Sequence, residues 1–258
     1  MSDFSSFVKK LNIGLEPLGV SVVSFDLTDS TNAQAKAYAA DAADARPVLF
    51  IAKEQSAGRG RLGRDFVSLA DSGIYMTLLY FIEGDLSSAV TVTTASAVAA
   101  ASSIESVTGE KVGIKWVNDI YNDRGKVAGI LVESLPVNGG YAVAVGIGIN
   151  VGAHGFPPEI RDIASTLAPL DDEKKADLVV SICDRILRHA EHPDSRDYMA
   201  DYRRMFILKD KTVDIYVSGE WNLRGTVEGV DDNGGLVILH NGVKTVLSSG
   251  EITVRIVE

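Results

Sequence analysis

Cysteine is nearly missing from this chain: Cys183 is the only one in 258 residues. An internal disulfide and a cysteine-built zinc site are thereby excluded. Cys183 falls in an apolar helical pattern, which predicts a buried, inert thiol. Basic residues are also in deficit, with 25 Lys and Arg against 35 Asp and Glu and a net charge of −10. General nucleic-acid binding needs a basic face to neutralise phosphates, so the acidic balance argues against it. Long apolar runs are missing too. The longest uncharged stretch, 86–104, is filled with threonine, serine and small apolar residues, and it reads as a core helix rather than a membrane span. The N-terminus lacks the basic and apolar regions of a signal peptide. The expectation is a soluble cytoplasmic protein with no membrane partner. The four histidines, His154, His189, His192 and His240, cluster nowhere, and no Ser-His-Asp arrangement is evident.

What the chain does have is Gly58-Arg59-Gly60-Arg61-Leu62-Gly63-Arg64-Asp65-Phe66, three glycines and three arginines in nine residues. Glycines let backbone approach a ligand closely, and arginine forks match carboxylates and phosphates. A solvated surface turn is the alternative. The loop follows Pro47-Val48-Leu49-Phe50-Ile51-Ala52, an apolar run that reads as a buried strand. It therefore sits at a strand's carboxyl end, where open α/β sheets bind ligands. Gly58, Gly60 and Gly63 also satisfy the dinucleotide-binding fingerprint, with Glu83 twenty positions on. That fingerprint requires a helix to start within the glycines. Here a turn and a second strand-like run, Ile74–Phe81, follow instead. The fingerprint is accidental, and a dinucleotide oxidoreductase is set aside.

The periodicity predicts a short helix over 5–18, with Phe7, Leu11 and Leu15 on one face, then a strand over 21–27. Asp29-Ser30-Thr31-Asn32 precedes an alanine-rich helix over 33–40. Its hydroxyls suit helix capping, or the helix N-terminus and the same hydroxyls face a ligand. After a strand over 73–82 and a helix over 86–108, residues 112–121 alternate like one strand. That strand holds Lys115, Asn118 and Asp119. Asn122–Gly125 is a hairpin turn by composition, and it returns into Lys126–Glu133. Lys126 is either an edge gatekeeper or a positioned cation. A buried strand follows over 141–151, ending Gly146-Ile147-Gly148-Ile149-Asn150, then helices over 171–190 and 194–208. From Lys211 the pattern changes to five short strands separated by Gly-, Asn- and Ser-containing turns. These predict a small β-barrel domain and a boundary near Leu208. By chemistry alone, cations beside a glycine loop suit a phosphate or carboxylate substrate, and Asp119 suits a Mg²⁺ ion. The residues alone point to a nucleotide-dependent transferase or ligase.

The glycine loop, Lys115-Trp116-Val117-Asn118-Asp119, Lys126–Glu133, Gly146–Asn150 and Asp29–Asn32 together resemble the biotin protein ligases, in order and in spacing, from about residue 20 onward. The resemblance implies an α/β (α+β) fold. A mixed β-sheet catalytic domain flanked by helices would occupy 1–208, and a small SH3-like β-barrel 209–258. It implies attachment of biotin to a lysine of a carboxylase's biotin carboxyl carrier domain through biotinyl-5′-AMP, with ATP as substrate and Mg²⁺ as cofactor. Carried over by position, Ser30, Thr31, Asn32, Gln55, Thr77 and Gly129 hold biotin. Arg59, Gly60 and Arg61 close over it. Lys126 and Arg61 are the catalytic residues. Arg61, Phe66, Lys115, Asn118, Asp119 and Asn150 face ATP, with Asp119 on the metal; Glu251 contacts ATP or the carrier, or serves structure. Two positions depart from the family: Phe66 stands where it usually has tryptophan, and Val117 where it favours proline. About twenty residues precede the first matching strand, too few for a helix-turn-helix domain, so a short form that binds no DNA is expected. Monomers and homodimers are both implied, with an exposed sheet edge as the natural interface. A lipoate–protein ligase and a non-catalytic biotin- or carrier-binding module are the rival readings.

Overall fold

The structure, a computed structural model, describes residues 4–41, 46–68, 70–83, 89–152, 155–248 and 252–257. The strand runs assemble into a seven-stranded mixed sheet of order β1-β2-β3-β7-β6-β5-β4. β1 (Ser21–Thr28) pairs parallel with β2 (Val48–Gln55). The rest is antiparallel: β3 (Gly73–Glu83), β7 (Gly140–Asn150), β6 (Gly125–Val137), β5 (Asp119–Asn122) and β4 (Gly113–Lys115). β2 is apolar on both sides because both faces are covered. Val48 and Phe50 pack with Leu79, Ala142 and Ala144 under α2 (Thr31–Asp41), through Ala35 and Ala39. Leu49 and Ile51 point to the opposite face, into the main core. That core is closed by α1 (Phe4–Leu15), α3 (Ala89–Thr108) and α4 (Asp172–Glu191). Phe7, Leu11 and Leu15 recur every four residues along α1, so all three meet the core. Asp171 caps α4 by accepting from the Lys174 N–H at 2.8 Å. Cys183 is fully buried in α4, and burial pushes its thiol up to about 12.

α5 (Tyr198–Met205) leads into a five-stranded antiparallel sheet of order β11-β10-β9-β8-β12. Its strands are β8 (Thr212–Val217), β9 (Glu220–Val230), β10 (Leu236–His240), β11 (Val243–Leu247) and β12 (Ile252–Ile256). Val213, Ile215, Val227, Leu236 and Ile238 join the same hydrophobic cluster as Ile114, Trp116 and Tyr202 of the larger part. The Trp116 indole N–H donates to Gly234 O at 2.8 Å and the Tyr202 hydroxyl to Val117 O at 3.3 Å.

Three expectations change. Residues 112–121 are not one strand: Trp116–Asn118 turn the chain back, and β4 pairs with β5. Alternation hid the turn because Trp116 and Val117 are both buried. The last large helix is shorter than 194–208, starting at Tyr198. The Asp29 carboxylate, rather than a hydroxyl, organises the start of α2, accepting from the Ser30 N–H at 2.6 Å and the Gln34 amide at 2.9 Å. The start of the uncharged helix at 86–88, His154 and Glu251 lie outside the described residues. Among the described residues no helix is long and apolar enough to cross a membrane.

Candidate active site

The site is laid out by two cross-strand rows on the α2 face of the large sheet. One row runs Ala52–Tyr75–Gly148–Gly129–Asp119–Lys115. The neighbouring row, two residues along each strand and so on the same face, is Phe50–Thr77–Gly146–Leu131. Glycine at 148 and 146 leaves a trough. A Cβ at Gly148 would stand 2.5 Å from Phe66 Cζ, and one at Gly146 would stand 2.8 Å from Asn32 Cγ and collide with Oδ1. Phe66 therefore lies across the glycine floor, edge-on to Tyr75 at 6.4 Å between ring centres. Asn32, at the start of α2, drops into the other row.

The glycine loop is a short closed hairpin. The Phe66 N–H donates to Gly58 O at 2.9 Å and the Gly60 N–H to Arg64 O at 2.7 Å, the two bonds of a backbone β-bridge between residues Arg59 and Asp65. Leu62 and Gly63 turn it with φ of 60° and 69°. Among the described residues the loop joins β2 to β3 with no α-helix between them, whereas the dinucleotide fingerprint requires one there.

Cations gather where the loop meets β5 and β6. Lys126 Nζ is 2.6 Å from Asp119 Oδ1. Arg61 donates to Asn118 Oδ1 at 3.1 Å, while the Asn118 amide N–H holds Ile130 O at 2.7 Å. Burial lowers the Arg61 guanidinium and Lys115 ammonium from their ordinary values, against the pull of Asp119. Lys115 also lies 5.4 Å from the Tyr121 ring centre, and burial, with Asp119, raises that phenol to about 12. Arg64 reaches across to the small sheet and donates to Thr253 Oγ1 at 2.7 Å.

At the other end the groups are neutral. Gln55 Oε1 accepts from the Thr31 N–H at 2.8 Å and lies 3.1 Å from its hydroxyl. The Gln55 amide donates to Ser68 Oγ at 2.8 Å. Thr77 Oγ1 lies 2.8 Å from Thr31 Oγ1 and donates to Asn32 Oδ1 at 2.6 Å. Behind them, Glu133 accepts from Asn32 Nδ2 at 2.9 Å and from Lys36 Nζ at 2.6 Å. Burial works to raise the Glu133 carboxyl, but hydrogen bonds from Lys36 and Asn32 hold it below its ordinary value.

These two ends share one cavity of about 630 Å³. Ser30, Thr31, Asn32, Gln55, Arg59, Gly60, Arg61, Phe66, Lys115, Asn118, Asp119, Lys126, Gly129 and Asn150 all line it. Thr77 does not; it is fully buried behind Thr31 and Asn32 and acts through them. Asn150 is held by its amide N–H to Ser165 O at 2.9 Å. Several lining residues were missed in the sequence: Arg64, Phe156, Ile160, Ile163, Thr253 and Arg255. The last two come from β12, so the small sheet forms part of the wall. Arg64 stood in the loop motif and signalled itself by composition. Arg255 carried no local signal. Among the described residues, six cationic side chains and two carboxylates line the cavity, in a chain whose net charge is −10.

The sequence profile of the biotin/lipoate A/B protein ligase family matches residues 24–150. The biotin–[acetyl-CoA-carboxylase] ligase of Paracoccus denitrificans is 31% identical over 239 residues, 87% of this chain and 97% of that protein. The chain belongs to the biotin/lipoate A/B protein ligase family. A bifunctional ligase/repressor BirA of Bacillus spizizenii is 34% identical over 168 residues. That match covers 64% of this chain and about half, 51%, of the relative. Among solved structures, a biotin protein ligase from Aquifex aeolicus in complex with biotin and ATP superposes with a TM-score of 0.78 at 25% identity. The superposition covers 92% of this chain and 99% of that one. The family match takes in the glycine loop, both cross-strand rows and Lys126. It ends at Asn150, before β12 and its share of the wall.

Proposed function

We propose that this chain activates biotin with ATP as the acyl-adenylate and passes the acyl group to a lysine of a biotin carboxyl carrier domain. One observation carries the reading: a neutral hydrogen-bonding pocket and a mouth of surplus cations share a single cavity. Biotin is built the same way, with a neutral cyclic urea at one end and a carboxylate at the other. The names of the Paracoccus and Aquifex relatives, a biotin–[acetyl-CoA-carboxylase] ligase and a ligase bound to biotin and ATP, support it.

In the first step a carboxylate oxygen of biotin bonds to the α-phosphorus of ATP. The bond from that phosphorus to its bridging oxygen breaks, and pyrophosphate leaves. Two anions must meet, so cations fixed in advance at the meeting point lower the barrier. Lys126 and Arg61 serve there, held by Asp119 and Asn118 before any ligand arrives. Arg64, Lys115 and Arg255 lie in the same wall and suit the departing phosphates. In the second step the carrier's lysine, as the free amine, attacks the acyl carbon. The amide forms, the carbon–oxygen bond to AMP breaks with its electron pair leaving on AMP, and the amine's proton passes to solvent.

Magnesium enters with ATP as part of the substrate. Among the described residues there is no group of three or more metal-ligating side chains. The protein offers Asp119, which already pairs with Lys126. Most of the ion's octahedral ligands would then be phosphate oxygens and water.

The deciding experiment is ATP–pyrophosphate exchange with biotin, lipoate or neither acid present. Exchange that needs biotin is expected. Exchange with lipoate alone would transfer the chain to the lipoate branch, and none with either acid would leave it as a binding module.

A further inference from the structure

Glu133 does not line the cavity and has no part in the adenylation steps above. Nevertheless it closes one end of a hydrogen-bond chain whose direction is fixed. A carboxylate only accepts hydrogen bonds, so the bond of 2.9 Å to Asn32 must come from the amide nitrogen. That turns Asn32 Oδ1 toward Thr77, which must give it its single proton across 2.6 Å. Thr77 Oγ1 also lies 2.8 Å from Thr31 Oγ1, and the Thr31 hydroxyl in turn reaches Gln55 Oε1 at 3.1 Å. The far end is anchored equally firmly. Phe66 O, a carbonyl, takes the Ser68 proton at 3.1 Å, so Ser68 Oγ accepts from the Gln55 amide N–H. Gln55 therefore offers its oxygen to the Thr31 N–H. The two ends of an amide have the same shape, and only such partners decide which end points where. Gly146 gives Asn32 the room to sit in this chain.

We propose that Glu133 is a positioning residue: by orienting the Asn32 amide it sets the donor–acceptor pattern of the neutral pocket, and with it selection for a cyclic urea. The proposal rests on the reading that this pocket takes the ureido ring of biotin. Lys36 makes it unusually testable. Its ammonium only donates and sits 2.6 Å from the other Glu133 oxygen. In Glu133→Gln, Lys36 would claim the amide oxygen of the new side chain. The amide nitrogen would then face Asn32 and turn it over, against its longer bond of 3.4 Å to Leu131 O, reversing its bond to Thr77. In Lys36→Met/Glu133→Gln the ammonium no longer claims that oxygen, so it can accept from Asn32 and restore the native direction.

The experiment measures biotin affinity by titration calorimetry, and KM and kcat for biotin-dependent exchange, on four proteins. Lys36→Met is expected within about threefold of wild type, because Glu133 still orients Asn32. Glu133→Gln should weaken biotin binding about tenfold, the order of one buried hydrogen bond, with the change in KM rather than kcat. The double variant should return to within about threefold of wild type. A role confined to the ion pair would instead leave the double variant as weak as Glu133→Gln, and that result overturns the proposal, as does wild-type affinity in Glu133→Gln. Should Glu133→Gln fail to fold, the double variant must still fold; its failure also overturns the proposal. Wild type that binds no biotin would strike the functional reading instead. The thermal midpoints of the four ligand-free proteins would still test the orientation, since Glu133→Gln must melt below the double variant.

Discussion

The two ends of the cavity solve opposite problems. At the neutral end every named donor and acceptor has a protein partner. Asn32, Thr77, Thr31, Gln55 and Ser68 form one connected chain, and all but Gln55 are nearly or wholly buried. Such a network is rigid and defines one shape, because a half-satisfied alternative is costly in low dielectric. At the charged end partners are short. Among the described residues six cations face two carboxylates, and burial lowers the Arg61 and Lys115 side chains from their ordinary values. A neutral pocket finished in advance selects by shape and by a fixed donor–acceptor pattern. A cationic mouth left in deficit waits for anions that only substrates bring. The difference separates recognition from chemistry within a single cavity.

The strongest break in this contrast is Lys126→Ala. It should leave the neutral end intact and slow biotin-dependent pyrophosphate exchange by roughly 10²–10³-fold, the usual scale for one preorganised electrostatic group. Biotin methyl ester, which has no carboxylate charge, should bind the variant as it binds wild type. An unchanged exchange rate, or an equal loss of ester binding, would show that the two ends are not separable at this residue.

Gly146→Ala attacks the other end. The new Cβ would overlap the Asn32 amide, so Asn32 must leave its bonds to Thr77 and Glu133. If one of these groups is left unsatisfied in the bound state, at about 1–3 kcal/mol, the expected loss is roughly ten- to a hundredfold in biotin affinity by calorimetry. kcat at saturating biotin should move far less. A fall in kcat with affinity preserved would mean that the glycine serves the chemistry and not the pocket.

How far each end could be read from the sequence follows the same division. The charged end announced itself in short motifs: three arginines among glycines, Lys115 with Asn118 and Asp119, and Lys126 opening an apolar strand. The large sheet was legible because β2, β3 and β7 are apolar runs bounded by turns. What stayed hidden was pairing over long sequence distance. Glu133 meets Asn32 across 101 positions and Arg64 meets Thr253 across 189. Thr77 was expected in the pocket with Thr31, but register puts it behind, under Gly146's neighbour Asn32. Likewise the turn at Trp116–Asn118 is held by the Asn118 amide on Ile130 O, a contact that local alternation cannot report. One clue to Glu133 was present: two residues beyond Leu131 on β6, it shares the face of the pocket rows.

The smallest expected effect is also the one that tests the division without a mutation. Exposed and half-exposed charges are screened by salt, with a Debye length falling from about 30 Å at 0.01 M to about 3 Å at 1 M, whereas buried neutral hydrogen bonds are not. Arg59 and Arg64 are exposed, and Lys115 and Lys126 half-buried. Inhibition of exchange by added pyrophosphate should therefore weaken several-fold between about 0.05 and 0.5 M salt. Binding of biotin methyl ester over the same range should change by less than about twofold. If both constants moved together, the ions would be acting on the cavity as a whole, through the loop that joins its ends. Arg61 would then be the place to look, since its guanidinium ties the glycine loop to Asn118 at 3.1 Å.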